Sequence, residues 1–390
     1  MTGRIDSTDF VDSANPVNSL GSAASVGSVD FAGMGMPDSE IRVALALRAA
    51  RRRTARRIIL ATTLLVLLLI ALLLADLMLG HEVYSLTDVL SVVSGLVSGL
   101  VSGRPVVGGL AFAIGELRLP RVLVGALCGL AFGMAGASFQ HLLRNVMASP
   151  DIIGITAGAN TAAVFGIIVL GLSGPSLSAL AVAGGLVTAL LVIRLAWSGS
   201  FAPNRLILTG IGVAAAFNAL SSWILIRGDQ WDVQTASRWL TGSLASAEWS
   251  QIPAIVAVVL VAGCALLAFG RQVDALRFGV DVARGLGVRA DLTQTAVIVL
   301  SVLLLSAATA TSGPIAFVSF LAGPIALRII GPHKPAIAQA GLVGACLVLA
   351  ADIVAQHVPP TQLPVGVVTS IIGGPVLVAL MVRITRRQEF

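Results

Sequence analysis

The chain has 390 residues, of which 56% are hydrophobic and only 11% charged, with a net charge of +6 and a mean hydropathy of +0.95. A soluble domain carries about a quarter of its residues as charges, so soluble fold classes are excluded and one continuous membrane bundle is expected. The positive balance is not a nucleic-acid signal: the arginines flank apolar segments, as the positive-inside rule requires, and aromatic residues are too few for base stacking.

Residues 1–40 are rich in Ser, Gly, Asp and Val without a period, which predicts a disordered tail. Arg51-Arg52-Arg53-Thr54-Ala55-Arg56-Arg57 follows, so the tail is no signal peptide. With residues 41–50, the basic stretch predicts a helix on the cytoplasmic membrane surface, where anionic lipid attracts each arginine by about 1 kcal/mol. The division expected is thus a disordered, basic cytoplasmic tail over 1–57 and a transmembrane domain over 58–387.

A bilayer core of roughly 30 Å needs about 20 apolar residues per helix. About ten segments qualify: 58–79, 122–139, 152–172, 176–196, 206–226, 252–269, 292–310, 315–330, 337–358 and 364–384. The eighth is short and interrupted by Gly323-Pro324. The fold class predicted is an all-α, polytopic helical bundle. Ten spans with the arginine-rich end inside return the C-terminus, with Arg383, Arg386 and Arg387, to the cytoplasm. Arg271, Arg277, Arg284, Arg289, His333 and Lys334 then fall inside as well, whereas Arg104, Arg118, Arg121, Arg227 and Arg238 fall outside against the rule.

Gly125, Gly129 and Gly133 recur every four residues, a spacing that lets membrane helices approach closely. Cys128, Cys264 and Cys346 lie inside apolar runs without metal or redox spacing and read as small buried hydrophobes. Asp352 lies inside the ninth span and Asp76 near the end of the first. An intramembrane acid is either a transport group or the partner that fixes a helix joint, and both readings of Asp352 stand.

No G-x-x-x-x-G-K-[ST] phosphate loop occurs, the one lysine being Lys334, and no HExxH or paired-carboxylate cluster appears. Neither ATP hydrolysis by that route nor a resident metal is expected. The most informative loop runs from Val273 to Arg289. Leu276, Val280 and Ala283 share a helical spacing, charges occupy other faces, Gly285 ends the helix and Gly287 turns the chain. A short amphipathic helix with a glycine turn suits the groove of a partner protein.

Six motifs occur in combination: Leu117-Arg118-Leu119-Pro120-Arg121, Gln140-His141-Leu142-Leu143-Arg144-Asn145, Ser149-Pro150-Asp151-Ile152-Ile153-Gly154, Trp239-Leu240-Thr241-Gly242-Ser243-Leu244, Gly313-Pro314-Ile315-Ala316-Phe317-Val318 and Gln362-Leu363-Pro364-Val365-Gly366. With Ala283-Arg284-Gly285-Leu286-Gly287-Val288 and Ala351-Asp352-Ile353-Val354-Ala355, the sequence resembles the FecCD permeases of iron–siderophore, haem and vitamin B12 ABC importers over residues 115–387. The stretch around Ser149-Pro150-Asp151 looks most like ferric-enterobactin permeases.

The resemblance implies a type II ABC importer permease in the cell membrane, both termini cytoplasmic, with no catalysis or cofactor of its own. The implied partners are ABC ATPase subunits that use ATP and magnesium, a second permease subunit (identical or not), an extracytoplasmic siderophore-binding protein and membrane lipid, but no nucleic acid. Leu276, Gly279, Val280, Ala283, Arg284, Gly285, Leu286 and Gly287 would couple to the ATPase. Arg118 and Arg121 would dock the binding protein. Asn145 and Met147, with Pro203 and Asn204, would form cytoplasmic gates. Val146, Pro203, Ile325 and Gln356 depart from the family pattern, the last where some relatives carry an arginine.

Overall fold

The computed structural model describes residues 38–80, 82–102, 108–146, 148–149, 154–196, 203–331 and 336–388. The chain divides into two units at Arg57/Ile58. In the first unit the described residues, from Asp38, are helical. The basic stretch therefore sits in a helix, and the tail expected to be disordered over residues 1–37 lies outside the described residues.

The helices, in order, are α1 (Asp38–Met78), α2 (Leu86–Ser102), α3 (Gly109–Leu143), α4 (Ile155–Ile168), α5 (Gly174–Ala196), α6 (Pro203–Arg227), α7 (Gln230–Leu240), α8 (Ile252–Ala268), α9 (Gly270–Leu276), α10 (Val280–Gly285), α11 (Ala290–Ser312), α12 (Val318–Ile330), α13 (Ile337–His357) and α14 (Val365–Gln388). Each of the ten expected spans holds a helix. Among the described residues seven helices are long and apolar enough to cross a bilayer, while α4, α12 and the apolar part of α14 are shorter. Two helices escape the sequence reading. α2 opens on a capping box in which Ser85 N–H donates to Asp88 Oδ2 at 3.1 Å and Asp88 N–H donates to Ser85 Oγ at 3.3 Å. α7 carries Gln230, Asp232, Gln234, Thr235, Ser237 and Arg238 among its eleven residues and is too polar to read as a span.

The second unit is built around α3, which packs against α13, α11, α12 and α8. Its run of Gly and Ala explains that place: without side-chain bulk, neighbouring backbones come close. A methyl added to Gly129 would stand 2.6 Å from Ala345 Cα, and one on Gly133 would overlap the Ala340 carbonyl. Gly212 on α6 faces open space. Ala at a helix-interior Gly ordinarily adds about 0.5–1 kcal/mol. Gly133→Ala is expected to lose about 1–3 kcal/mol to overpacking instead, while Gly212→Ala is neutral or stabilising. Thermal unfolding of the two variants in detergent tests the opposite signs.

Two prolines inside helices show how the bundle is held. α3 is π-wound over Phe112–Arg118, with Leu119 N–H donating to Ile114 O. In that winding Pro120 leaves the Gly115 carbonyl without a donor, and Trp249 Nε1 donates to it at 3.0 Å. α3 therefore begins at Gly109, not at Val122, and Arg118 and Arg121 lie within the helix instead of in a mouth before it. The interruption expected at Gly323-Pro324 is likewise absent. α12 runs unbroken because Gln140 Nε2 donates at 2.9 Å to Phe320 O, the carbonyl Pro324 cannot serve. Gly323 leaves room for that side chain. Of the three cysteines, Cys128 and Cys346 are buried and Cys264 is exposed, against the expectation for the last.

Candidate functional site

The loop between α8 and α11 folds as two short helices, α9 and α10, joined through Gly279 at φ 122°. α10 ends at Gly285, and Gly287, at φ 82°, turns the chain. Val288 N–H then donates to Ala283 O at 2.9 Å and Gly287 N–H to Arg284 O at 2.9 Å, closing the helix end on its own carbonyls. The turn stands where Gly285 and Gly287 put it, but the single helix expected through Leu276, Val280 and Ala283 is broken in two at Gly279.

The apolar residues divide in a way their spacing does not reveal. Val273, Leu276 and Ala283 are buried and anchor the element, and Arg144 Nη2, at the end of α3, donates to Leu276 O at 2.7 Å. Phe278, Val282 and Leu286 point out, 73%, 51% and 68% exposed. Sequence reasoning chose Leu276 and Ala283 for the partner face and passed over Phe278 and Val282. Helical spacing identifies an apolar stripe but not which of two stripes meets the bundle. Arg284 lies between Asp291, at 3.1 Å, and Asp281, at 3.7 Å, and Arg277 lies 3.3 Å from Asp274. These exposed pairs are worth about 0–1 kcal/mol each, so they shape the loop without locking it.

At the other end of α3 a polar cluster joins three helices. Arg121 grips Asp352 with two bonds, Nε to Oδ2 at 2.9 Å and Nη2 to Oδ1 at 2.7 Å. Asp352 is fully buried and Arg121 only 17% exposed. Gln356, one turn on, donates to Asp352 Oδ2 at 2.9 Å and to Asp76 Oδ1 at 3.1 Å. The cluster thereby links α3, α13 and α1. Arg118 caps the end of α1: Nη1 donates to Leu77 O at 2.9 Å, Nη2 to Glu82 O at 2.9 Å, and the guanidinium lies 4.5 Å from the Tyr84 ring centre. Arg118 donates to carbonyls through Nη1 and Nη2, whereas Arg121 is ion-paired with Asp352. Of the two arginines expected to dock a partner, Arg118 is the one not bonded to a carboxylate among the described residues.

Three of the motif turns meet in one place. Ser243 N–H donates to Ser312 O at 2.8 Å and Gly366 N–H to Gly242 O at 3.0 Å. Beside them a cavity of about 390 Å³ is lined by Phe132, Thr309, Pro314, Phe317, Phe320 and Leu377, among others. Of the gate candidates, Asn145 lies in the exposed turn after α3, its N–H bonded to Gln140 O at 3.1 Å. Pro203 and Asn204 open α6, and Met147 lies outside the described residues.

A family model described as the FecCD transport family matches residues 63–383. The chain is 38% identical over 280 residues to the ferric enterobactin transport system permease protein FepG of Escherichia coli, covering 72% of this chain and 85% of the relative. It is 37% identical over 279 residues to the achromobactin transport system permease protein CbrC of Dickeya dadantii, covering 70% of this chain and 80% of the relative. Among solved structures, an inward-facing ABC transporter of the metal-chelate type superposes with a TM-score of 0.71 at 25% identity, over 82% of this chain and 97% of that one.

Proposed function

The chain belongs to the FecCD transport family, and from that premise we propose that it carries an iron(III)–siderophore complex into the cytoplasm. It is a multi-pass inner-membrane permease of an ABC importer. The finer substrate assignment leans on the two siderophore relatives at 37–38% identity, with cobalamin as the second reading because a 31% identical relative is a cobalamin permease.

The observation that carries the mechanism is the loop from Gly270 to Arg289. Its buried residues fasten it to the bundle, and its exposed Phe278, Val282 and Leu286 offer an apolar knob. The chain has no phosphate loop of its own. In this reading an ATPase subunit, using ATP and magnesium, receives the knob in a groove, and its closure moves α8 and α11 through the loop. Both termini and this loop are cytoplasmic. A second permease subunit completes the pathway, and a siderophore-binding protein docks on the opposite face, where the charge of Arg118 guides it. Asn145 and Met147, with Pro203 and Asn204, belong to the cytoplasmic gate in the same reading.

The test is reconstitution. Proteoliposomes with the partner ATPase and binding protein should take up a ferric siderophore only when ATP is supplied, and should not take up cyanocobalamin. Uptake by the chain alone, driven by an ion gradient, would refute the ABC mechanism. Uptake of cyanocobalamin in place of the siderophore would refute the substrate.

A further inference from the structure

Between Ile41 and Ala75 the sequence has no Asp or Glu, while Arg42, Arg48, Arg51, Arg52, Arg53, Arg56 and Arg57 fall in its first half. The six from Arg48 to Arg57 lie in helix and are exposed. At about 100° per residue they cover roughly two thirds of the helix circumference. That distribution matters. A helix lying flat on a membrane keeps its cations on one face, whereas arginines around most of the girth suit a helix surrounded by anions.

We propose that Arg48–Arg57 forms a collar that binds anionic phospholipid headgroups. Arg57 is joined directly to Ile58, and in the second unit Ile59, Leu60, Leu64 and Leu67 are exposed apolar side chains of a span. Chain connectivity alone therefore holds the nearest arginines at the hydrocarbon boundary. Ten residues of helix measure about 15 Å, so along the chain even Arg48 is only that far from the first residue of the span. Each guanidinium can keep its stem along apolar surface while its head meets phosphate. Direct attachment to an exposed, apolar span selects lipid over nucleic acid or an acidic protein. This inference requires only that the chain spans a membrane and is independent of the substrate.

The experiment uses the purified full chain reconstituted in phosphatidylcholine bilayers with spin-labelled phosphatidylglycerol or spin-labelled phosphatidylcholine. The motionally restricted fraction of each label gives the relative association. Phosphatidylglycerol should be favoured by roughly threefold at 0.1 M NaCl, and most of that preference should vanish at 1 M, where the Debye length is about 3 Å. The salt arm needs no substitution, so misfolding cannot mimic it. The quadruple variant Arg51→Gln, Arg52→Gln, Arg53→Gln, Arg56→Gln should lose the larger part of the preference, and the matching Lys variant should keep it. A preference that survives the Gln substitutions, or a Lys variant that behaves like the Gln one, overturns the proposal. So does a DNA duplex retained by the wild type in the presence of phosphatidylglycerol.

Discussion

Replacing Phe278, Val282 and Leu286 together by aspartate should abolish ATP-dependent uptake while leaving the permease in the membrane. All three side chains are at least half exposed, so their loss removes almost no packing from the bundle. Burial of each in a partner groove is worth about 1.5–3 kcal/mol. Three together exceed about 4 kcal/mol, roughly a thousandfold in affinity for the ATPase. Buried Leu276 or Ala283 is a poorer target, because its replacement damages the loop itself. Arg284→Gln should cost little, since its two ion pairs are exposed. The measurements are co-purification of the ATPase subunit, uptake of a labelled ferric siderophore and the amount of permease in the membrane. Undiminished uptake by the triple aspartate variant would remove the knob from the coupling mechanism.

The fold was legible where physics leaves one choice. Long apolar runs in Ile58–Met78 or Ile337–His357 have no other stable home than a bilayer, and Gly129 and Gly133 announce a close helix contact by their spacing alone. What escaped the sequence depended on partners distant in the chain. Pro324 read as a helix breaker, and the helix around Pro120 went unread, because the donors that replace their missing N–H groups, Gln140 and Trp249, lie 184 and 129 positions away. α2 had a local signal, the Ser85–Asp88 box, which its Ser- and Gly-rich body obscured. At the site, the break at Gly279 was not legible in the apolar spacing, whereas the end of α10 and the turn after it followed from Gly285 and Gly287. The division of its apolar residues into anchors and knob did not, because it depends on where the loop meets the bundle. Arg121 and Asp352 were both singled out for opposing membrane rules, yet 231 positions separate them and nothing local pairs them.

That pairing yields the second large effect and decides between the two readings of Asp352. Asp352→Leu should cost about 3–5 kcal/mol, because it strands the guanidinium of Arg121, only 17% exposed, without its counter-charge. Arg121→Leu should cost a similar amount by stranding a fully buried carboxylate, with Gln356 its remaining hydrogen-bond donor in the cluster. The double variant Arg121→Leu, Asp352→Leu removes both bonded charges, leaves buried Asp76 with its bond from Gln356, and should recover most of the stability that either single variant loses, since apolar replacement of a buried ion pair is often neutral or better. Uptake separates the roles. If the pair is a joint between α3 and α13, the stable double variant recovers transport as well as stability. If Asp352 itself handles protons or substrate, the double variant is stable and inactive. The bidentate grip, the added bond from Gln356 and the complete burial of the carboxylate argue for the joint. Single variants as stable as the wild type would remove the ion pair from the account of stability, and a stable, inactive double variant would return Asp352 to the transport pathway.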